Sequence, residues 1–326
     1  MSTKLARAAG AALATLVTLS TVGGAAVAAE QVTLKSAKST SSYYVMTVQL
    51  AEMLKKASDG ALNPTVEESQ GSVQNVKESF VRPGNFVFTT PPSLLASARA
   101  GEAPFEGQAN DGARTLFVMP FITVHFVVRE GAGIDSVSDL AGKTFIAGAK
   151  GTFCERRTAK ILEILGIADK VESVDVELSA ASAAMRNGKV DGFATCSSHP
   201  TPQLVELSAT TPVDILSFTD EERAKILDLD AMSGPLTIAA GTYEGQDAPV
   251  ETVGVPVGAY TTANMSDETA YTITKTFWEW KDRLAADNPW WTGVEPSMVS
   301  LMGAPVHPGA ARYYEEKGIA MPAAQN

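Results

Sequence analysis

The sequence is poor in the residue types that build catalytic and metal centres. Its 326 residues include three histidines and two cysteines. His125, His199 and His307 are far apart in sequence, and no His-Glu-x-x-His pair occurs. Among the histidines and cysteines only Cys196 and His199 stand close together, so neither a metal nor another cofactor is expected. No Gly-x-Ser-x-Gly elbow is present. The Gly-x-x-x-x-Gly-Lys-Ser/Thr order of a phosphate loop is missing. Residues 36–42, where a dinucleotide fold would place its glycine-rich turn, contain no glycine. Positive charge is also scarce, with 26 basic residues against 37 acidic ones. That balance excludes an extended nucleic-acid surface but still permits a locally positive cleft. After residue 28 no apolar run approaches the length of a bilayer span, and no low-complexity linker divides the chain.

What is present begins with an exported-protein signature. Lys4 and Arg7 precede an apolar stretch from Ala8 to about Val22, and small residues lead to Ala26-Val27-Ala28. This reads as a signal peptide over residues 1–28, cleaved near Ala28, which predicts a periplasmic location. The remainder has 24 basic and 37 acidic residues, a formal charge of −13. At 298 residues it is long enough for two compact domains. An exported pair of cysteines permits one disulfide between Cys154 and Cys196; two buried thiols that never meet are the alternative.

The pattern after the leader alternates strands with helices. Strands are predicted over Gln31–Ser36, Leu62–Glu67 and Phe86–Thr89, with helices over Tyr43–Lys56 and Val73–Phe80, the latter capped by Ser72. Pro92 opens another helix. Leu116–Val128 is almost continuously apolar, and Pro120 is expected to break it into two strands, leading into a second domain. There Thr144–Ala147, Val171–Val176 and Val190–Ala194 read as strands, and Cys154–Leu165, Ser179–Asn187 and Pro202–Leu207 as helices. Leu236–Ala239 and Val250–Thr261 are extended, Asp267–Ala285 is helical, and a short helix covers Ala310–Glu316. The fold class is therefore α/β, a parallel sheet covered by helices. Trp278, Trp280, Trp290 and Trp291 are expected to serve mainly as packing.

Open parallel sheets bind ligands at the loops after their strands. The first such loop, Ser36–Tyr44, offers hydroxyls, free amides and a lysine; Lys38, Ser39, Ser41, Tyr43 and Tyr44 are its candidate contacts. Gln70, Ser72 and Asn75 follow the second strand, and Thr90 follows the third. Lys150, Thr152 and Glu155 form a second helix start, and Ser197 and His199 follow a further strand that places Cys196 near Cys154. That juxtaposition favours the disulfide.

Several stretches together resemble the TAXI family, the solute receptors of tripartite ATP-independent periplasmic (TRAP) transporters. They are Tyr43-Tyr44 after a small-residue loop, Gln70-Gly71-Ser72-Val73-Gln74-Asn75, Ser136–Lys143 and Gly188–Gly192. Ala240–Gln246, Thr252–Pro256 and His307–Ala310 complete the series. The resemblance implies a two-domain periplasmic binding protein-like fold with a central ligand cleft. Domain I would be noncontiguous, 29–122 and 237–326, with domain II at 123–236. It also implies domain closure on a small solute and docking onto TRAP-type permease subunits. Relatives bind small carboxylates such as glutamate. This chain departs from them in the Ser36–Ser42 loop, which is glycine- and threonine-rich in relatives. It departs again at Ala149–Glu155, where relatives carry Gly-Ser-Gly-Thr-Glu. The expectation is a monomeric, non-enzymatic receptor for a small organic anion or amino acid. A sensor protein for a membrane signalling receptor and a secreted cysteine-dependent enzyme are the alternatives.

Overall fold

Residues 29–82 and 84–321 are described by the computed structural model; the expected leader, 1–28, lies outside the described residues. The first strand, β1 (Glu30–Lys35), buries Val32 and Leu34, and α1 (Ser42–Ala57) follows it. Tyr43, Met46, Thr47, Leu50 and Leu54 are buried on one face of α1, at the three- and four-residue spacing of a core-facing helix. Asp59 and Gly60 both adopt positive φ after this helix and turn the chain into β2 (Leu62–Glu67), which lies parallel to β1. A second unit of the same kind comprises α2 (Ser72–Ser79), β3 (Phe86–Thr90) and α3 (Pro92–Ala100).

The next strand differs from the sequence expectation. β4 is one strand of 17 residues, Ala113–Arg129, and Pro120 does not break it. Its antiparallel neighbour is β10 (Val250–Thr262), where Val255 faces Ile122 and Val257 faces Met119. Pro120 and Phe121 therefore oppose the single residue Pro256. This is a bulge, where neither proline has to supply a ladder hydrogen bond.

Beyond β4 the chain forms a 3₁₀ turn at Val137–Leu140, then β5 (Thr144–Ile146), α4 (Phe153–Ile164) and a two-residue β6 (Glu172–Ser173). The expected strand at Val171–Val176 shrinks to that remnant. Then come α5 (Leu178–Arg186), β7 (Gly192–Ser197), α6 (Pro202–Ser208) and β8 (Val213–Ile215). The helix α7 (Asp220–Leu229) and strand β9 (Gly234–Ile238) lead into β10. The 21-residue α8 (Asp267–Asp287) and α9 (Pro308–Glu316) complete the described helices.

The strands form one sheet in the order β2-β1-β3-β10-β4-β7-β5-β6, with β8 on β4 and β9 on β10. Pairing is parallel within β2-β1-β3 and within β7-β5-β6, and antiparallel along both sides of β4 and β10. Packing changes partners along those two long strands. Leu116 to Ile122 join one core with α1 and α8, whereas Val124, Phe126 and Val128 join a second with α4. On β10 the change falls between Val253 and Val255. Ile238, Tyr243 and Val250 pack with α5 and α6 residues in a third cluster.

Trp291 is fully buried, and the Trp278 indole donates to the Tyr314 hydroxyl at 3.0 Å. Trp280 instead stacks under Arg283. Cys154 and Cys196 are disulfide-bonded, with Cα atoms 5.4 Å apart, joining the first turn of α4 to β7. No helix among the described residues is long and apolar enough to cross a membrane.

Candidate ligand-binding site

Three helix starts converge where the two halves of the sheet meet. The β1–α1 loop, the β2–α2 loop and the β5–α4 loop surround a cavity of about 270 Å³, closed on another side by β7 and the start of α6. Gly71, at φ +103°, is the residue before α2, so that helix begins without a capping side chain. Ser72, expected to cap α2, is instead its first helical residue. Gly148 lets the β5–α4 loop press onto α4, because a Cβ there would lie 2.7 Å from the Glu155 amide nitrogen.

Of the residues expected at the site, Lys38, Ser39, Ser41, Tyr43, Gln70, Ser72, Thr152 and Ser197 line this cavity, as do both cysteines. Ile122, Val257, Phe153 and the disulfide give it an apolar wall. Lys38, Glu68 and Glu177 are exposed charges on its lining. The Ser39 amide donates to Glu68 at 2.7 Å and holds that carboxyl below its ordinary range, with a smaller contribution from the Lys38 charge.

Six expected residues lie elsewhere. Tyr44 is one step round the helix from Tyr43 and is not part of the lining. Asn75 is fully buried and donates to the Ser36 and Thr89 carbonyls, at 2.6 and 3.0 Å, tying two loops together. Thr90 is buried at the end of β3. Lys150 reaches away to Asp175 at 3.4 Å. The Glu155 carboxylate folds back to accept from the Gly151 amide at 2.6 Å. His199 bonds Thr123 through Nδ1 at 2.7 Å and lines a separate cavity of about 420 Å³. Phe121 and Thr123 line that cavity whereas Ile122 lines the first, so the two spaces lie on opposite faces of β4.

Ser42, Ser198, Thr40 and Gln203, which are not among the expected contacts, tie the loops at the site together. The Ser42 amide donates to Ser197 Oγ at 3.1 Å, and the Ser42 hydroxyl donates to the Ser198 carbonyl at 2.9 Å. The Gln203 amide donates to the Thr40 carbonyl at 3.3 Å. Tyr43 packs inward, its hydroxyl donating to the Pro120 carbonyl, and burial raises its pKa.

Beneath β7 lies a buried relay. The Thr201 amide donates to the Tyr243 hydroxyl at 3.0 Å, and that hydroxyl sits 3.0 Å from His125 Nε2. His125 Nδ1 faces the Thr195 carbonyl at 3.3 Å. A carbonyl only accepts, so the proton is on Nδ1, and Nε2 accepts from Tyr243. Burial, helped by nearby His199, pushes the His125 pKa down to about 3. Thr195, one end of this relay, lines the cavity, and its hydroxyl donates at 3.3 Å to the side chain of Gln203, which lines it too. Such a scaffold can orient a small polar molecule by hydroxyls and amides while its walls cover an apolar part.

The family model described as the NMT1-like family matches residues 34–318. The chain belongs to that family. Similar solved structures agree on the architecture of this NMT1-like protein. The periplasmic binding protein BugD superposes with a TM-score of 0.56 at 11% identity, over 89% of this chain and 98% of that one. A protein from Bordetella bronchiseptica RB50 gives 0.52 at 14% identity, covering 89% and 98%. A TctC solute binding protein from Polaromonas gives 0.50 at 12% identity, covering 88% and 98%. The α/β fold is thus periplasmic binding protein-like.

Proposed function

We propose that this NMT1-like protein is an extracytoplasmic solute-binding receptor of the TAXI type. It captures a small organic anion or amino acid and hands it to a TRAP-type membrane permease. The observation that carries the reading is the cavity itself, walled by strand-end loops from both halves of the sheet. Among the described residues, the long strands β4 and β10 each contribute buried side chains to both packing regions. Two lobes linked in this way can rotate about the linking strands and close on a ligand. The lobes we assign change at Ile122–Thr123 and, following the packing of β10, again near Gly254 rather than at 237. Solute-binding neighbours of the same fold and the exported-protein leader support the reading.

A cysteine-dependent enzyme is disfavoured, because both sulfurs are bonded and neither is available as a thiolate nucleophile. The test is calorimetry and small-angle scattering on protein stripped of copurified molecules, against amino acids and mono- and dicarboxylates. A hit that binds stoichiometrically and reduces the radius of gyration supports the receptor. Binding with no change in shape, or no binding by any panel member, defeats it. Uptake by the permease in proteoliposomes, with and without the receptor, tests delivery.

A further inference from the structure

Of the helix starts at the cavity, that of α6 carries Pro202, which has no amide hydrogen, and donates its Gln203 amide to the Thr40 carbonyl; those of α1, α2 and α4 are not equally available to a ligand. In α1, Ser41 caps the helix by accepting from the Tyr43 amide at 3.2 Å. In α4, Thr152 accepts from the Glu155 amide at 3.3 Å, and Glu155 places a carboxylate in the first turn. In α2 the cap residue is Gly71, no side chain bonds the first-turn amides, and that turn holds no acid. Gly71 and Ser72 both line the cavity. The positive end of α2 is therefore open toward the space where a ligand fits.

A second, independent observation falls at the same place. Ser36 lines the cavity and is 1% exposed, and its hydroxyl has no hydrogen-bond partner. A buried hydroxyl left unpaired is costly. Its backbone is held beside α2: the Ser36 carbonyl accepts from the Ser69 hydroxyl at 2.8 Å and from the Asn75 side chain at 2.6 Å. The orphaned hydroxyl is thus carried by a braced residue next to an uncapped helix start.

We infer that the Ser36 hydroxyl and the first-turn amides of α2 form an oxyanion subsite, which seats the acidic end of the solute. The ligand's apolar part then lies along Ile122, Val257, Phe153 and the disulfide. The inference deepens the receptor reading and rests on it for the solute being cargo. It also reassigns the anchor. Lys38 is an exposed charge beside Glu68, whereas Ser36 and α2 offer desolvated donors fixed in place.

The experiment is an amide NMR titration of the stripped protein with acetate, with inorganic sulfate and with neutral acetamide, at constant ionic strength. Acetate and sulfate represent planar and tetrahedral oxyanions. The expected result is a saturable shift of the Ser72, Val73 and Gln74 amides with at least one oxyanion and none with acetamide. Ser36→Ala should weaken that binding about tenfold, the range for a hydrogen bond to a charged group. It should leave the melting temperature of the empty protein equal or higher, since it removes an unpaired hydroxyl. Ser72→Asp, which brings its own carboxylate to the helix start, should abolish the response.

The inference is overturned if neither oxyanion moves the α2 amides, if the α1 or α4 starts respond instead, or if both variants bind like the parent. The two readings fail separately. A neutral molecule that closes the lobes while oxyanions leave α2 untouched removes the subsite and keeps the receptor. Saturable α2 shifts with no closure by any solute do the reverse.

Discussion

The Ser42 and Ser197 side-chain oxygens lie 2.6 Å apart, joining the first turn of α1 to the last residue of β7. Ser42 spends its proton on the Ser198 carbonyl, so the Ser197 hydroxyl is the donor between the two oxygens, and it accepts from the Ser42 amide. Both side chains are buried. This small network fixes the relative placement of the loop after β1 and the loop after β7, which face each other across the cavity.

Replacing Ser197 by alanine strands the buried Ser42 amide without its acceptor. The expected cost is about 1–3 kcal/mol of unfolding free energy, the penalty for an unsatisfied buried group. Urea denaturation measures it. A loss under a few tenths of a kcal/mol means the network contributes nothing net. Ser197→Thr keeps the hydroxyl and should recover part of the loss.

The disulfide closes a chain segment with a sequence separation of 42. Loop-closure entropy for that length gives a stabilisation of about 4 kcal/mol as an upper figure. The Cys154→Ala/Cys196→Ala double variant should therefore show a clearly lower urea midpoint. It should also bind solute less tightly, because both sulfurs belong to residues of the cavity wall and Cys154 adjoins the α4 start. A lower midpoint with unchanged affinity would reduce the cystine to a brace with no part in shaping the site.

Acid should weaken the fold through His125 once the pH falls below about 6.5. Folded His125 takes a proton only near pH 3, whereas in the unfolded chain it does so near pH 6.5. Between those values unfolding takes up a proton. The stability from neutral His125 is complete above about pH 6.5 and falls toward pH 3, by up to about 1.4 kcal/mol per pH unit. Burial lowers the pKa of His199 and His307 too, and both act in the same direction. Glu67 and Glu78, whose pKa values are also lowered, add their loss at lower pH, near and below the ordinary carboxylate range. Urea midpoints at pH 7, 6 and 5 isolate the histidines. His125→Asn should be less stable at pH 7 but lose stability less steeply on acidification. Parallel slopes for parent and variant would remove His125 from the account.

The elements legible in the sequence are those whose apolar spacing agrees with their final surroundings. The expected and observed bounds of α1 agree to within a residue or so because the helix has one buried face; those of β2 coincide although Leu62 is its single buried residue, since the Asp59-Gly60 turn marks where it begins. Pro120 shows what a one-strand pattern leaves out. A proline inside a strand is disfavoured only where its nitrogen must donate, and Pro256 on the neighbouring strand supplies the irregularity that removes the demand. Helix α7 has no apolar stripe to signal it, because it buries little more than Glu222 and Ile226, although Thr219 and Glu222 form a capping box. At the site, loops were easier to locate than side chains. Lys150 in the β5–α4 loop and Glu155 in the first turn of α4 flank the cavity-lining Thr152 and Phe153, but partners at Asp175 and Gly151 draw their charges elsewhere. Ser36 had no sequence signal beyond its place at the end of a strand, since the lack of a partner is a property of the folded surroundings.

Lys38 offers a contrast between a visible charge and a buried donor. An exposed ammonium is screened by salt, and exposed ion pairs contribute about 0–1 kcal/mol. Lys38→Ala should therefore weaken acetate binding by less than about fivefold at low ionic strength. The loss should fade at about 0.5 M salt, where the Debye length drops toward contact distance. The Ser36→Ala loss should persist at that salt, because a hydrogen bond inside the cavity is shielded from mobile ions. Repeating the acetate titration for both variants at low and high salt separates the two. A large, salt-insensitive loss in Lys38→Ala would return the anchoring role to the lysine. A Ser36→Ala loss that vanishes with salt would show that the hydroxyl acts only through the general field of the lobe.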